Sequence, residues 1–271
     1  MTTYAARLAE RVGRLGALCA GIDPSRDVIE RWGLPYDCHG LETVARTMVD
    51  ALADVVAVFK PQSAFFEAHG SAGVRVLEQT MAAARAAGAL VLLDVKRGDI
   101  GSTMAAYAAA YLGEGPLAAD AVTVSPYLGL MSLAPAFDAA HATGRGVYVL
   151  ARTSNPEGSQ VQLSVGLDGR PVVQTIVDDV AAINDATGQF GIGLVVGATH
   201  SDLGCDLSDF NASILAPGIG AQGGSMDAIA EIFGTAASYV LPSASREILQ
   251  AGPTADGLRA SVAKLLDTSR N

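Results

Sequence analysis

Eight short apolar runs, spread along nearly the whole chain, constrain the fold more than any other feature of the sequence. Turn-forming residues bound each run, and most runs are separated by segments with the periodicity of amphipathic helices. The runs are 17–24, 55–62, 89–93, 121–127, 146–154, 192–199, 213–220 and 238–243. Their apolarity is continuous rather than alternating, which is typical of parallel strands that are covered on both faces.

Eight strand–helix units in about 250 residues match the size of a closed (β/α)8 barrel, the TIM-barrel architecture. A doubly wound open sheet is the alternative, but no Gly-x-Gly-x-x-Gly motif follows the first run. No linker, low-complexity tract or sequence repeat argues for a second domain. We therefore predict a single α/β barrel domain over residues 1–271, with an N-terminal helix at about residues 2–14.

Composition narrows the partners that such a barrel could bind. The chain carries 18 Lys and Arg against 28 Asp and Glu, which gives a net charge of −10. An acidic chain without basic clusters is a poor match for nucleic acid or an anionic membrane surface. No run reaches transmembrane length, and the N-terminal region lacks the apolar core of a signal peptide. The three cysteines show no Cys-x-x-Cys spacing, which favours reduced thiols in the cytoplasm.

The third apolar run ends abruptly in charge. Asp94 and Lys96 follow it directly, and Asp99 comes after a glycine. In an extended chain the first two side chains point to the same side, roughly 6–7 Å apart. Buried strands rarely end in acid, base and acid unless the charges pair or act. Two interpretations are open: a structural salt bridge, or an ammonium held between carboxylates as a proton donor.

Polar residues collect where the apolar runs end, and catalytic residues of a (β/α)8 barrel lie at that carboxyl-terminal face. These positions are Asp23, Lys60, Asp94, Lys96, Ser154, Gln222 and Arg246. Lys60 would alternate with Asp94 and Lys96 on the next strand, so that each desolvated charge has an opposite neighbour that keeps it ionised. For Asp23, contact with a ligand and capping of the next helical region are both open.

The loops after the last two runs indicate an anion site. The glycine-rich segment 217–225 is expected to open a helix, so that backbone N–H groups can face an anion. Arg246 follows the eighth run, and arginine suits bidentate phosphate binding. The loops after strands seven and eight are the usual phosphate site of this barrel.

Segment 155–171, a long loop after the fifth run, is either a mobile lid or an exposed insertion. The four histidines show no metal-ligand spacing.

Three segments together resemble the orotidine 5'-phosphate decarboxylase family, in its longer-chain bacterial branch. They are Phe59-Lys60-Pro61-Gln62, Asp94-Val-Lys-Arg-Gly-Asp99-Ile-Gly and Pro217-Gly-Ile-Gly-Ala-Gln222-Gly-Gly. The resemblance spans all eight runs and implies a homodimeric barrel that needs neither metal nor cofactor. The implied reaction is decarboxylation of orotidine 5'-monophosphate to uridine 5'-monophosphate, the last step of de novo pyrimidine biosynthesis.

The resemblance also implies catalytic roles. Lys96 would be the proton donor, Asp94 would lie beside the substrate carboxylate, and Lys60 would bridge Asp94 toward the ribose. Asp99 and Thr103 would reach across the dimer interface into the partner's site. Each active site would therefore be shared between two copies of the chain.

The remaining implied roles are contacts to the substrate. Asp23 would meet the ribose hydroxyls, and Ser154, or the threonine before it, would contact the pyrimidine edge. Gln222 would bridge phosphate and base from a closing loop that includes Gly223. Arg246 would hold the phosphate.

Two other functions remain open on the sequence. A sugar-phosphate decarboxylase or epimerase on a similar barrel can also carry an Asp-x-Lys-x-x-Asp strand, but it generally uses a divalent metal to stabilise an enediolate. A non-catalytic protein that binds nucleotide phosphates is the second. An assay of orotate absorbance, with and without chelator, separates the three.

Overall fold

A closed barrel of eight parallel strands forms the centre of a computed structural model that describes residues 2–219 and 226–268. Each strand pairs with the next along the chain, and the eighth pairs with the first. The strands are β1 (Cys19–Ile22), β2 (Val58–Pro61), β3 (Leu90–Arg97), β4 (Ala121–Val124), β5 (Gly146–Arg152), β6 (Ile192–Val196), β7 (Ile214–Pro217) and β8 (Val240–Ala244). The predicted (β/α)8 barrel is therefore confirmed.

Helices connect the strands and surround the barrel. They are α1 (Tyr4–Leu15), α2 (Arg26–Arg31), α3 (Cys38–Leu52), α4 (Ser63–Glu67), α5 (Gly70–Ala86), α6 (Gly101–Leu112), α7 (Ala134–Thr143), α8 (Ser159–Gln162), α9 (Val172–Thr187), α10 (Ile229–Phe233), α11 (Arg246–Leu249) and α12 (Ala255–Thr268). Three 3-10 segments are Leu130–Leu133, Pro156–Gly158 and Gly234–Tyr239. Side-chain caps begin several helices; Asp37, for example, accepts hydrogen bonds from the His39 and Gly40 amides at α3.

The strands separate two apolar layers, and their alternation decides which side chains face the site. In β3, Val91 and Leu93 pack in the large outer layer between strands and helices. Leu90 and Leu92 pack in the smaller layer inside the barrel. Because the side chains of a strand alternate between its faces, the next inward position after Leu92 belongs to Asp94.

Helix α1 closes the amino-terminal end of the barrel. Tyr4 and Leu8 belong to the inner layer, and the Tyr4 hydroxyl lies 3.1 Å from the Tyr148 hydroxyl. The Arg11 guanidinium donates to four backbone carbonyls, those of Ala53, Val56, Ala57 and Gly88. These bonds satisfy carbonyls that would otherwise be left unpaired at the barrel floor. The open end is therefore the carboxyl-terminal one, where the polar residues were predicted to collect.

Candidate active site

A cavity of about 370 Å³ opens at the carboxyl-terminal end of the barrel. Six of the ten site residues predicted from the sequence line it: Asp23, Lys60, Asp94, Lys96, Ser154 and Arg246. They come from the ends of five different strands, or from the loops that follow these strands. Such convergence is how this fold assembles a catalytic centre.

The Asp94 carboxylate is the centre of the charged cluster. Its Oδ2 accepts hydrogen bonds from Lys60 Nζ at 3.1 Å and from Gln62 Nε2 at 2.9 Å. Its Oδ1 accepts hydrogen bonds from Lys96 Nζ at 2.5 Å and from Thr123 Oγ1 at 2.8 Å. Two donors on each oxygen use the ordinary accepting capacity of a carboxylate. Asp94 is therefore fixed in orientation as well as in charge.

Burial and ion pairing shift the pKa values of Asp94 and Lys60 in opposite directions, and the effect of ion pairing is the larger. Asp94 and Lys60 are each only 6% exposed. Burial alone would raise the pKa of Asp94, but the two lysine ammoniums and the Thr123 hydroxyl outweigh it and hold that pKa well below its usual range. Burial alone would lower the pKa of Lys60, but the Asp23 and Asp94 carboxylates raise it. Both groups therefore stay charged across neutral pH.

We expect Asp94→Asn to destabilise the fold by about 3–5 kcal/mol at pH 7, because it removes the carboxylate that forms an ion pair with the buried Lys60 ammonium. A carboxyl with a depressed folded-state pKa stabilises the fold fully above its unfolded pKa of about 3.9. That stabilisation is lost as the pH falls through the folded pKa. The wild-type advantage in denaturant unfolding should thus stay nearly constant from about pH 5 to 8 and shrink below about pH 4.

The matched control for this prediction is Asp50→Asn. Asp50 forms an exposed ion pair with Arg46 one turn earlier in α3. Exposed pairs of this kind contribute about 0.3–0.5 kcal/mol. Equal destabilisation by the two variants, or a wild-type advantage that grows on acidification, would contradict the prediction for Asp94.

The backbone at Lys96 differs from the extended strand that the sequence predicted. Lys96 has a φ of +46°, and the pairing of β3 with β4 shifts register between Leu93 and Arg97. Left-handed backbone is costly for a residue with a Cβ and is found preferentially at functional sites. The Lys96 side chain is 46% exposed, so its ammonium reaches Asp94 from the mouth of the cavity.

Two polar atoms of the cavity wall are buried without a hydrogen-bond partner among the described residues. They are Asp23 Oδ1 and Ser245 Oγ. The cap of α2 is Ser25, whose hydroxyl accepts from the Val28 amide, so Asp23 does not serve as that cap. A Cβ on Gly21 would lie 2.6 Å from the Ser245 Cβ, so glycine permits this close approach. Unpaired buried polar atoms are costly, and a ligand in the cavity would satisfy them.

Thr153 and Ser154 both line the cavity, but their hydroxyls differ in how they are bonded within the protein. The Thr153 hydroxyl donates to Asn155 Oδ1 at 2.7 Å and accepts from Gln162 Nε2 at 2.8 Å. No hydrogen bond of the Ser154 hydroxyl is found within residues 2–219 and 226–268. Of the two positions that the sequence left open for a contact to the ligand, the geometry therefore favours Ser154.

Segment 155–171 is tied to the end of β5 by several hydrogen bonds, most of them made by Gln162. Gln162 Oε1 accepts from the Thr153 amide at 3.0 Å and from Arg152 Nη1 at 3.2 Å. Val165 and Leu167, farther along the segment, are strongly exposed. The segment is therefore anchored beside the cavity at Gln162 and exposed farther along.

The other four predicted site residues are not part of this cavity as described. Asp99 accepts a hydrogen bond from the Ile100 amide, Thr103 is exposed on α6, and neither lines the cavity of its own chain. Gln222 and Gly223 lie outside the described residues. Most of the glycine-rich segment, residues 220–225, lies outside the described residues as well, and the first helix described after it is α10, which begins at Ile229.

Sequence reasoning missed several polar residues of the site. Gln62 and Thr123 bind Asp94, and Ser245 carries an unpaired hydroxyl. Asn155 and Ser243 also line the cavity. The signal for Thr123 was present, since a single hydroxyl at an inward position of an apolar strand has few reasons to be there.

Within residues 2–219 and 226–268, no three His, Cys, Asp or Glu side chains are grouped so that they could hold a metal ion. A search of the same residues for a helix with the length and apolarity needed to cross a membrane finds none. Cys19, Cys38 and Cys205 are all free thiols.

Comparison with known proteins connects this geometry to a family. A profile described as "Orotidine 5'-phosphate decarboxylase / HUMPS family" matches residues 16–260. The chain is 54% identical to an orotidine 5'-phosphate decarboxylase from Salinispora arenicola, covering 100% of this chain and 98% of that protein. A Streptomyces coelicolor protein with the same name is 52% identical over 96% of this chain and 94% of its own length.

Solved structures give the same result. A Streptomyces avermitilis structure assigned to the same activity superposes with a TM-score of 0.96 and 51% identity, covering 100% of this chain and 95% of that one. The OMP decarboxylase of Leishmania donovani superposes with a TM-score of 0.81 and 28% identity, covering 99% and 98%.

Proposed function

Because the chain belongs to the orotidine 5'-phosphate decarboxylase family, we propose that it converts orotidine 5'-monophosphate to uridine 5'-monophosphate and CO2. The observation that carries this proposal is the buried Asp94 carboxylate, held by Lys60 and Lys96 in a cavity whose rim bears Arg246. The interpretation of Asp94 and Lys96 as a merely structural salt bridge does not explain why they face an open cavity.

Lys96 is the group proposed to do the chemistry. Loss of CO2 from C6 of the pyrimidine leaves a carbanion whose electron pair no cofactor delocalises. A preformed ammonium in a site sheltered from water stabilises this charge as it develops, and it then donates its proton to C6. Because Asp94 is held by four donors, Lys96 is oriented before the substrate arrives. Asp94 beside the departing carboxylate adds a repulsion that CO2 loss relieves.

The far end of the cavity is proposed to bind the phosphate. Arg246 lies at the rim, makes no ion pair with a described residue, and adjoins the unpaired Ser245 hydroxyl. A phosphate there would accept hydrogen bonds from the Arg246 guanidinium and the Ser245 hydroxyl. Gln222 and Gly223 would supply further contacts to the phosphate. Binding energy gained at this remote group can be expressed in the transition state when the site closes around the substrate.

The middle of the cavity is proposed to bind the nucleoside. The unpaired Asp23 Oδ1 would accept from a ribose hydroxyl, with Lys60 beside it. The unengaged hydroxyl of Ser154 would meet the pyrimidine edge. A Cβ on Gly197 would lie 2.7 Å from the Ser154 Cα, so this part of the wall depends on glycine in the neighbouring strand end.

The decisive experiment follows orotate absorbance after the protein is mixed with orotidine 5'-monophosphate. We expect a fall in absorbance that is unchanged by a divalent-metal chelator, because Lys96 supplies the charge that a metal would otherwise supply. Loss of activity in chelator would favour a metal-dependent sugar-phosphate enzyme. An unchanged absorbance with nucleotide still bound would favour a binding protein.

We further propose that the chain acts as a single domain in the cytoplasm. The three free thiols support a reducing compartment.

A homodimer with shared sites is the second part of the proposal. Large apolar side chains are exposed at the carboxyl ends of the neighbouring strands β3 and β4: Ile100, Tyr127, Leu128 and Met131. Several large apolar side chains exposed after neighbouring strands are typical of an interface. Asp99 and Thr103 adjoin it and do not line the cavity of their own chain, so a second copy seated here would receive them in its cavity.

We expect Tyr127→Glu to give a monomer in sedimentation velocity and to lose most of its decarboxylase activity, because a charge at the centre of an apolar interface must be desolvated. Tyr127 is 78% exposed, so the folded monomer tolerates the change. The matched control is Tyr239→Glu, an exposed tyrosine just before β8, at the other end of the barrel. A Tyr127→Glu protein that stays dimeric, or a fully active monomer, would contradict the shared site.

A further inference from the structure

Thr123 in β4 has its hydrogen-bonding capacity completely filled by the catalytic segment of β3. Its hydroxyl donates to Asp94 Oδ1 at 2.8 Å. The same oxygen accepts from the Val95 amide at 3.1 Å and from the Lys96 amide at 3.0 Å. A threonine hydroxyl has one proton and two lone pairs, so no further bond is available. Thr123 is only 1% exposed, so water cannot substitute for these bonds.

The hydrogen bonds of Thr123 take the place of the backbone hydrogen bonds between β3 and β4, which are interrupted at this point. Regular pairing of β3 with β4 joins Leu92 to Ala121 and Leu93 to Val122, and it resumes only at Arg97. Between these points the backbone bulges and Lys96 adopts its left-handed φ of +46°. Bulges of this kind redirect a side chain next to an active site. The Val95 and Lys96 amides, both inside this stretch, find their acceptor in the Thr123 hydroxyl.

We propose that Thr123 is a positioning residue that holds the left-handed turn at Lys96 and the Asp94 carboxylate in one arrangement. This inference rests on the proposed decarboxylase function. Thr123 acts on two groups at once. Its hydroxyl accepts from the Lys96 amide, which fixes the backbone of the proton donor, and it also donates to Asp94, the counter-ion of Lys96. A side chain of the same shape without the hydroxyl leaves the Val95 and Lys96 amides without this acceptor and removes one of the four donors that orient Asp94.

The expected signature is a loss of turnover without a loss of binding. Thr123 contacts the charged cluster, whereas phosphate and ribose are bound at other positions of the cavity. Thr123→Val should lower kcat by about 10- to 100-fold, the range known for removing a partner that orients a metal-ligating side chain. The KM for orotidine 5'-monophosphate and the Kd for uridine 5'-monophosphate should each stay within about threefold, because the ligand contacts are untouched.

Three comparison variants make the test specific. Thr123→Ser keeps the hydroxyl and should restore kcat to within about threefold of wild type. Thr123→Cys leaves the same space as serine but offers only a weak donor and acceptor, so its kcat should fall about tenfold below that of the serine variant. Thr80→Val is the matched control, since the buried Thr80 hydroxyl bonds only the Val76 carbonyl within α5.

The outcomes separate this inference from the proposed function. A wild-type protein that does not decarboxylate the substrate refutes both. With an active wild type, a kcat of Thr123→Val equal to that of Thr80→Val refutes the positioning role alone. A rise in KM in place of the fall in kcat also refutes it. Should Thr123→Val not fold, equal kcat values for the serine and cysteine variants refute it instead.

Discussion

Lys96→Ala is expected to abolish decarboxylation while leaving the binding site intact. General acid catalysis contributes about 10²–10⁴-fold, and a preorganised charge at the reacting atom about 10²–10³-fold. Both are lost together, so kcat should fall by at least about 10⁴-fold. The Kd for uridine 5'-monophosphate should change by less than about tenfold, because the contacts proposed for phosphate and ribose are made by other residues of the cavity.

The measurement combines orotate absorbance with calorimetric titration of the product. Lys264→Ala is the control, since Lys264 is an exposed lysine on α12, and its activity should match wild type. Activity of Lys96→Ala within tenfold of wild type would refute the proposed role. Loss of nucleotide binding along with turnover would instead make Lys96 a binding residue.

Stability adds a second readout for Lys96. The Lys96 side chain is 46% exposed, whereas that of Lys60 is only 7% exposed, although both bind Asp94. Removing an exposed partner costs little, because water replaces it, whereas removing a buried partner leaves an uncompensated charge. Lys96→Ala should therefore unfold at nearly the same denaturant concentration as wild type. A large destabilisation would favour the structural salt bridge over the proton donor.

The positions that were predicted correctly follow from strand periodicity. Continuous apolar runs required parallel strands, and the fold then required their carboxyl ends to meet. Alternation within β3 put Asp94 inside the barrel, where Leu90 and Leu92 also pack. The side chains that point inward at the carboxyl ends of the strands converge on the mouth of the barrel, and this does not depend on the surrounding helices. Asp23, Lys60, Ser154 and Arg246 could therefore be assigned to one cavity from their places in the chain alone.

The details that were missed depend on contacts between strands. The left-handed Lys96 follows from the register of β3 against β4, and no pattern within β3 encodes that register. Thr123 and Gln62 each bind Asp94 across a strand boundary, so neither bond is visible as a motif. The unpaired Ser245 hydroxyl depends on a close approach of its loop to Gly21. Asp99 is recognisable as part of a motif, but the role proposed for it requires a second copy of the chain.

Arg246→Ala is expected to separate phosphate recognition from chemistry. Truncating one partner of a charged hydrogen-bonded pair costs about 2–5 kcal/mol. The kcat/KM for orotidine 5'-monophosphate should therefore fall by about 10³-fold, mainly through KM. Lys96, Asp94 and Thr123 keep their mutual hydrogen bonds in this variant, so kcat at saturating substrate should fall far less.

Affinity for uridine compared with its monophosphate gives the sharpest measurement of Arg246. The affinity for the monophosphate should weaken by about 10²–10³-fold in Arg246→Ala. The affinity for uridine should hardly change, because the nucleoside lacks the phosphate that the guanidinium would bind. Arg259→Ala is the matched control, since Arg259 pairs with Asp54 on the outer surface, and neither Kd should change. Rising salt should weaken monophosphate binding to wild type more than to Arg246→Ala. Equal losses for the two ligands would mean that Arg246 supports the rim of the cavity and does not recognise phosphate.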